Sequence, residues 1–184
     1  MRLFIAFPLP EMALGEAAKI QEELRKLNPG NSYRWTTRSV WHLTLEFLGE
    51  VGEGKLPIIK EIVESSVSGE KAMPVSFNGL VGFPNLSHPH IVGIGIKDES
   101  GQVEVIQSNV KRRLVANKLN HDEKDWKPHL TLLRIKDAQT SLKGTKEIAV
   151  TEISFVLDRA VIYQSTLTNN GPVYQELAVY VLDE

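Results

Sequence analysis

The chain has 184 residues, 42% of them hydrophobic and 24% charged, and its formal net charge at pH 7 is −2. This composition is typical of a globular protein that buries a substantial core, and it argues against disorder. The weak negative charge argues against a protein that coats long nucleic acid by neutralising phosphates, but it is compatible with binding an RNA end. Because the sequence contains no cysteine, disulfides, thiolate metal sites and a cysteine nucleophile are excluded.

The first apolar run, from Leu3 to Phe7, is followed at once by Pro8. It is too short for the core of a signal peptide, and no later stretch approaches the length of a membrane-spanning helix. We therefore expect a cytoplasmic protein that does not associate with membranes.

In the first half of the chain, the hydrophobic pattern predicts strands and two amphipathic helices. Apolar residues recur at steps of three and four from Ala13 to Leu27 and again from Leu56 to Val67, as in helices with one buried face. Apolar runs predict strands at 3–7 and 41–48, with a short strand or loop edge at 33–35.

The second half is predicted to contain one more helix, at 102–117, and several strands. Pro84 to His90 is rich in turn residues and separates two of these strands, and Asn169 to Pro172 marks a turn before the last one. The predicted strands are 75–83, 91–96, 129–135, 153–157, 160–163 and 174–182.

One tetrapeptide occurs twice: His42-Leu43-Thr44-Leu45 and, 87 residues later, His129-Leu130-Thr131-Leu132. Each copy lies in a predicted strand, where successive side chains point to opposite faces, so the His and the Thr share one face. An imidazole transfers protons near neutral pH, and a hydroxyl donates hydrogen bonds to anionic oxygens. Two facing pairs would supply an acid, a base and two donors for an anion.

The offset of 87 residues also relates the elements that precede the two motifs. Strand, helix and motif strand occur at 3–7, 12–27 and 42–48, and again at 91–96, 102–117 and 129–135. We therefore predict a single bilobal domain over residues 1–184, with interleaved lobes that arose by duplication of this strand–helix–strand unit. The expected fold class is α+β, with two pseudo-symmetric lobes, each an antiparallel sheet with helices on its outer side, around a central cleft.

These motifs and their flanks resemble the two-histidine (2H) phosphoesterase superfamily, and within it the RNA 2′,3′-cyclic phosphodiesterases, also called 2′-5′ RNA ligases. The resemblance spans nearly the whole chain, and two His-x-Thr-x copies in this context are a far more specific signal than one. It is carried by Arg2-Leu3-Phe4-Ile5-Ala6, Arg34-Trp35, His42 to Gly49, Pro128 to Arg134, Tyr163-x-Ser165 and Gly171-Pro172-x-Tyr174.

The resemblance implies a hydrolase that opens a terminal 2′,3′-cyclic phosphate of RNA to a 2′-phosphomonoester, with 2′-5′ RNA ligation as the reverse reaction. It also implies that His42 is the proton donor and His129 the proton acceptor, roles that the residues alone leave unassigned. Thr44 and Thr131 are the expected phosphate-binding donors. We expect no metal and no other cofactor, because His-x-Thr is not a zinc-ligand pattern and no Asp, Glu or Cys cluster completes a ligand set.

Four further residues are candidates for contact with RNA: Arg34, Trp126, Lys127 and Arg134. Arg134 is five residues beyond His129, which places it on the opposite strand face unless a bulge intervenes. The expected partners are RNA ends or short oligoribonucleotides, tRNA halves among them, and the enzyme is expected to act as a monomer.

The sequence departs from the family at Glu46, where many relatives have a basic residue. Strict alternation along the strand would place Glu46 on the same face as Thr44, so we expect a carboxylate at that edge of the cleft.

Two other functions are compatible with the sequence. An RNA-end binding module could hold a terminal phosphate with Arg34, Lys127 and an aromatic platform. The presence of both histidines favours an enzyme over a binding module. Phosphate binding alone would be better served by arginine, which is charged at every relevant pH. A phosphodiesterase for a small cyclic nucleotide or a 2′-5′ oligonucleotide is the enzymatic alternative. His88-Pro89-His90 could bind a metal, but its proline-rich setting favours a loop without chemistry.

Overall fold

The computed structural model describes residues 1–123, 125–137, 140–169 and 171–184. These residues form nine strands, three α-helices and two short 3-10 helices, the latter at Arg38–Val40 and Glu53–Lys55. The α-helices are α1 Glu11–Leu27, α2 Leu56–Val67 and α3 Gln102–Ala116. The strands are β1 Arg2–Pro8, β2 Tyr33–Trp35, β3 His42–Glu50, β4 Met73–Phe83, β5 Ile91–Lys97, β6 His129–Ile135, β7 Ser154–Leu157, β8 Arg159–Thr168 and β9 Gly171–Val181.

All nine strands belong to one sheet, with the order β7-β4-β5-β6-β3-β1-β8-β9 and with β2 paired to β6. Every pairing between these strands is antiparallel. The two motif strands, β3 and β6, meet at the centre through one residue pair, Leu43 opposite Leu130. These two leucines are related by the same offset of 87 residues as the motifs.

The strand order is symmetric about this central pair. Outward from it, β3 corresponds to β6, β1 to β5, β8 to β4 and β9 to β7. The predicted α+β class, with two pseudo-symmetric antiparallel lobes, is confirmed, and the two half-sheets are continuous through the Leu43–Leu130 pair. The origin of the lobes by duplication stays a prediction.

The last hairpin is longer than its hydrophobic pattern predicts. β8 continues past Tyr163 to Thr168, and β9 begins at Gly171 rather than at 174. The added residues are mostly exposed, and the backbone ladder that reaches the Thr168–Gly171 pair extends the strands without burying them. Exposed polar residues carry no alternating pattern, so the sequence did not reveal this extension. The predicted turn from Asn169 to Pro172 includes Asn170, which lies outside the described residues.

The helices α1 and α3 each lie behind a strand of the opposite half of the sheet, and α2 lies behind the first half. In α1, Gln21 donates a hydrogen bond to the carbonyl of Leu132 in β6 (2.8 Å), and Arg25 lies over the ring of Trp35 in β2 (5.2 Å). In turn, α3 contacts β3, and α2 contacts β8 and β9. The buried stripes of the three helices therefore form one core with the back of the sheet, and the front of the sheet is left for the motifs.

Both motif strands contain a β-bulge at the same position. The β1–β3 pairing passes from Ala6–Thr44 to Ile5–Glu46 and omits Leu45. The β5–β6 pairing passes from Gly93–Thr131 to Val92–Leu133 and omits Leu132, which is 87 residues beyond Leu45.

The bulges reverse the alternation of side chains beyond each motif. After Leu45, the next residue, Glu46, is also buried, so the expectation that Glu46 shares the face of Thr44 is wrong. In β6, Leu132 and Leu133 are both buried, and Arg134 returns to the face of His129. The extra residue in each bulge, not strict alternation, therefore determines which side chains beyond each threonine face the front of the sheet.

Candidate active site

His42 is the first residue of β3 and packs against an aromatic cluster. Its ring centroid lies 4.7 Å from that of Phe4 and 5.5 Å from that of Tyr174. Burial lowers the pKa of His42 to about 4; a hydrogen bond with the Val40 carbonyl opposes this shift, and the nearby His129 adds to it. The unliganded site therefore holds a neutral imidazole at pH 7.

His129 is the first residue of β6 and is held in the same way. Its Nδ1 lies 2.7 Å from the carbonyl oxygen of Lys127, so this nitrogen donates and Nε2 is left for a ligand. The Phe83 ring lies 4.5 Å away. Burial lowers the pKa of His129, the Lys127 hydrogen bond opposes the shift, and Arg134 adds to it.

The two halves of the sheet bring their polar residues into one electrostatic environment. His129 contributes to the low pKa of His42, and Arg134 from β6 acts on the phenol of Tyr174 from β9. Thr44 and Thr131 are half-buried, each two residues beyond its histidine. The arrangement offers two imidazoles for proton transfer and two hydroxyls for an anion.

Side chains from outside the motifs support the backbone of the second bulge. The Thr36 hydroxyl lies 2.8 Å from the carbonyl oxygens of both Thr131 and Leu132, and it accepts a hydrogen bond from the Trp41 indole at 2.8 Å. Gln21 donates to the Leu132 carbonyl as well. Sequence reasoning missed Thr36 and Gln21, because nothing in their spacing relates them to a strand about 100 residues away.

In the first motif, the corresponding threonine carbonyl is bound by a residue predicted to contact RNA. The indole of Trp126 donates to the carbonyl of Thr44 (2.9 Å), and its ring is half-buried against the core. This hydrogen bond ties the segment that leads into β6 to β3. The structure thus gives Trp126 a positioning contact with the motif.

The three predicted basic contacts are all exposed. Arg34 and Arg134 lie directly opposite each other in the β2–β6 pairing. Lys127 has an exposed side chain, and its backbone carbonyl is the group that is hydrogen-bonded to His129. The structure therefore gathers the candidate cations on the side of the cleft formed by the second half of the sheet.

Glu46 lies behind the sheet and is 2% exposed. It accepts hydrogen bonds from the side chain of Gln107 (3.2 Å) and from the backbone N–H of Asp122. Burial raises its pKa, against the Asp122 hydrogen bond and the charge of Lys111. The departure from the family therefore anchors α3 and a loop, and it does not make the cleft acidic.

The first half of the sheet surrounds His42 with aromatic rings. The rings of Phe4 and Tyr163 stack at 5.1 Å, and Phe47 lies 6.0 Å from Phe4. Burial, with the charge and hydrogen bond of Glu176, raises the pKa of Tyr163 to about 12, so its phenol stays neutral. Sequence reasoning missed this cluster, because an apolar run such as Leu3 to Phe7 does not show which residues face a cleft.

The alternative that this chain binds a metal ion was tested by looking for clusters of ligand side chains. Across 1–123, 125–137, 140–169 and 171–184, no group of three or more His, Cys, Asp or Glu side chains is arranged to hold a metal ion. His88 and His90 are exposed in the loop before β5. Nor does any helix in these ranges have the length and apolarity needed to cross a membrane.

Two motif strands that meet at the centre of one antiparallel sheet, each beginning with an anchored imidazole followed by a threonine, define a 2H phosphoesterase. The family model described as LigT-like phosphoesterase matches residues 7–92 and 94–174 of the chain. The chain belongs to the LigT-like phosphoesterase family.

Relatives in this family are similar along their whole length. The chain is 34% identical over 184 residues to the RNA 2′,3′-cyclic phosphodiesterase of Archaeoglobus fulgidus, covering 98% of this chain and 99% of the relative. It is 31% identical over 182 residues to the protein of the same name from Thermotoga maritima, covering 96% and 93%.

Solved structures show the same architecture. The protein TT0787 of Thermus thermophilus aligns with a TM-score of 0.80 at 27% identity, over 99% of this chain and 98% of that one. E. coli LigT complexed with 3′-AMP aligns with a TM-score of 0.78 at 19% identity, over 100% and 98%. The similarity to LigT shows that the two proteins share a fold.

Proposed function

We propose that this chain is an RNA 2′,3′-cyclic phosphodiesterase that opens a terminal cyclic phosphate to a 2′-phosphomonoester. The observation that carries the proposal is the pair of imidazoles, one from each half of the sheet. Each is hydrogen-bonded to the carbonyl two residues earlier, and the charge of one acts on the other. The shared name of the relatives, RNA 2′,3′-cyclic phosphodiesterase, supports the same reaction.

In the proposed reaction, His129 accepts a proton from the attacking water as the water oxygen bonds to phosphorus. The bond between phosphorus and the ribose O3′ breaks, and His42 donates the proton that the departing O3′ needs. The hydroxyls of Thr44 and Thr131 hold the phosphoryl oxygens and stabilise their charge. The product carries a 2′-phosphate and a 3′-hydroxyl, and attack by an RNA 5′-hydroxyl in place of water would form a 2′-5′ linkage.

A pKa of about 4 disfavours the protonated imidazole that a donor needs, so the proposed role of His42 depends on the charge that the substrate brings. Without ligand, a pKa of about 4 leaves the ring neutral at pH 7. A bound cyclic phosphate carries a negative charge, which favours the charged imidazole and raises its pKa. The bound phosphate thus favours protonation of an imidazole at the site, and the division of roles between His42 and His129 rests on the resemblance to the family.

The proposed substrates are RNA ends or short oligoribonucleotides, with tRNA halves among them, and the proposed enzyme is a cytoplasmic monomer. Arg34, Lys127 and Arg134 are exposed and carry the charge that RNA phosphates attract. With the indole N–H of Trp126 bound to Thr44, contact of Trp126 with RNA would use the exposed part of its ring.

Replacing the motif residues tests this function on an oligoribonucleotide with a 2′,3′-cyclic phosphate end, in the presence of EDTA. We expect His42→Ala or His129→Ala to lower kcat by about two to four orders of magnitude with little change in affinity, because each removes a proton-transfer group. Thr44→Val or Thr131→Val removes a phosphate donor and should weaken binding and rate together. His88→Ala, at an exposed histidine of the loop before β5, is the matched control and should keep the wild-type rate.

The identity of the product decides between the alternatives. A 2′-monoester supports the assignment of O3′ as the leaving group, and a 3′-monoester contradicts it. Binding without turnover, unchanged in the double variant His42→Ala, His129→Ala, would favour an RNA-end binding module. Loss of activity in EDTA with rescue by magnesium or manganese would favour a metallo-phosphoesterase.

A further inference from the structure

The segment that leads into the second motif is tied to the first motif strand. Residues 117–123 and 125–128 form this segment, the α3–β6 loop. Three of its donors bind β3: the Asn120 side chain to the Glu50 carbonyl (3.1 Å), the Asp122 N–H to the Glu46 carboxylate, and the Trp126 indole to the Thr44 carbonyl (2.9 Å). The loop therefore runs along β3 in the opposite direction, and β3 fixes its path.

Glu46 supplies the one acceptor of these three that depends on the type of residue. Asn120 and Trp126 bind backbone carbonyls, which every residue of β3 has, whereas Asp122 binds a side chain. The Glu46 carboxylate is buried, and its second oxygen accepts a hydrogen bond from Gln107 of α3 (3.2 Å). With both oxygens bound, the carboxylate has a fixed orientation and holds the middle of the loop to β3.

The equivalent position in the second half of the sheet is apolar. The residue 87 positions beyond Glu46 is Leu133, which follows the bulge of β6 as Glu46 follows that of β3. Leu133 is fully buried, so an aliphatic side chain packs well at this position of a half-sheet. Burying a carboxylate costs free energy that burying a leucine does not. The contact with the loop, not the packing of the sheet, therefore accounts for a carboxylate at position 46.

The far end of the α3–β6 loop carries the hydrogen bond that orients His129. The carbonyl oxygen of Lys127 lies 2.7 Å from Nδ1 of His129, and the carbonyl of Pro128 accepts a hydrogen bond from the N–H of Ile96 (3.0 Å). A proton on Nδ1 leaves Nε2 with the lone pair that a base needs. The tautomer of His129 therefore depends on where the loop places the Lys127 carbonyl.

The corresponding hydrogen bond of the first histidine does not come from this loop. The partner of His42 is the carbonyl of Val40, the last residue of the short helix that precedes β3. A change at Glu46 that acts through the α3–β6 loop should therefore reach His129 and leave His42 as it is.

We propose that Glu46 is a positioning residue for His129 and acts through the α3–β6 loop. By holding the N–H of Asp122, its carboxylate fixes the path of the loop and keeps the Lys127 carbonyl on Nδ1. The effect of Glu46 on the reaction rests on the proposed function, in which His129 transfers a proton. In this way, a residue of the first motif strand sets the state of the second histidine.

Glu46→Leu and Glu46→Gln test this role. Leucine copies the residue at position 133 and removes the acceptor, whereas glutamine keeps an oxygen for the Asp122 N–H. For an oligoribonucleotide with a cyclic phosphate end, we expect Glu46→Leu to lower kcat by about tenfold to a hundredfold with little change in KM, and Glu46→Gln to stay within about threefold of wild type.

The tautomer of His129 is the measurement that a loss of stability alone would not move. Burial lowers the pKa of both motif histidines below the ordinary value of 6.5, so both rings are neutral at about pH 7.5. Nitrogen-15 NMR shifts then show which ring nitrogen carries the proton. We expect the proton of His129 on Nδ1 in wild type and a mixture of both tautomers in Glu46→Leu, with His42 unchanged. The variants His42→Ala and His129→Ala assign the signals.

Gln107→Leu is the matched control, because it removes the partner of the other carboxylate oxygen without touching the loop. It leaves that oxygen without this hydrogen bond and should lower the melting temperature, but kcat and the His129 tautomer should not change. Asp122→Pro removes the donor from the loop side, and it decides the question if Glu46→Leu does not fold.

The outcomes separate this role from the proposed function. If the proton of His129 stays on Nδ1 in Glu46→Leu or in Asp122→Pro, the role is wrong. Equal changes of the His129 tautomer in Glu46→Leu and Gln107→Leu would also overturn it, as would an equal change at His42. If wild type shows no turnover, the proposed function is wrong, and the tautomer still decides whether Glu46 positions His129.

Discussion

The two motif histidines share one backbone position but differ in their surroundings. Phe4 and Tyr174 surround His42, whereas His129 packs on Phe83 and lies within the field of Arg134. Burial is the main cause of the lowered pKa in both rings. The neighbours of each copy, not the motif itself, therefore determine the surroundings of each imidazole.

The low pKa of His42 predicts how stability depends on pH. Between about 4 and the ordinary value of 6.5, the unfolded chain binds a proton at His42 that the folded protein does not bind. The free energy of unfolding should therefore fall as pH is lowered through this range, by at most about 3 kcal/mol from His42. In His42→Gln this part of the loss is absent, so wild type should lose more stability than the variant between pH 7.5 and 4.5.

Urea unfolding at both pH values measures this difference. His90→Gln, at an exposed histidine, is the control and should lose as much stability on acidification as wild type. If His42→Gln lost as much as wild type, His42 would not be held neutral by the fold.

At the scale of single elements, the paired bulges determine which side chains reach the site. The extra residue at Leu45 places Glu46 behind the sheet and Phe47 at its front. In the same way, the extra residue at Leu132 places Leu133 behind the sheet and Arg134 at its front. Bulges leave backbone groups without ladder partners, and side chains from other elements bind them here. Thr36 does so in the second half and Trp126 in the first.

Thr36→Val tests whether the second bulge depends on this support. The substitution keeps the shape of the side chain but removes the partner of the Trp41 indole and of the Thr131 carbonyl. Unpaired buried groups cost about 1–3 kcal/mol, so we expect the free energy of unfolding to fall by that amount and hydrolysis of cyclic ends to slow because Thr131 is displaced.

The neighbouring Thr37→Val is the matched control. Its exposed hydroxyl shares a hydrogen bond with that of Ser39, and its loss should leave stability and rate unchanged. Equal effects of the two substitutions, measured by urea unfolding and initial rates, would show that the Thr36 hydroxyl does not position the motif.

At the scale of the whole molecule, the halves of the sheet are joined by helices that cross behind it. Because α1, which follows β1, packs behind β6 and β2, and α3, which follows β5, packs behind β3, neither half has its own complete core. We propose that residues 1–184 therefore behave as a single interleaved domain.

This interleaving predicts one cooperative unfolding transition. Far-ultraviolet circular dichroism and tryptophan fluorescence should report the same midpoint in urea. Leu130→Ala, at a fully buried central position, should shift both probes together by about 2–5 kcal/mol. Leu167→Ala, at a side chain that is 68% exposed, is the control and should shift neither. Two transitions, or a shift in one probe alone, would show that the halves unfold separately.

The sequence predicts those features that depend on burial and repetition. The stripe from Ala13 to Leu24 and the offset of 87 residues were sufficient to place helices, strands and symmetry. The bulge at Leu45 could not be predicted, because the residue that follows is charged and its burial is not expected. The bulge at Leu132 had a weak sequence signal, since Leu132 and Leu133 are adjacent apolar residues. The partners of Glu46 and Thr36 lie 61 and about 96 residues away, and only the folded chain brings them together.

The junction between the half-sheets consists of one residue pair, Leu43 opposite Leu130. A long ladder between β3 and β6 would have fixed the angle between the half-sheets through backbone hydrogen bonds. With a single pair, that angle depends on the volume of side chains packed behind the sheet, including Ile20 and Leu24 of α1 and Ile106 of α3. We therefore expect the spacing of the two imidazoles on the front to respond to a methylene gained or lost behind the sheet, at residues that do not touch the substrate.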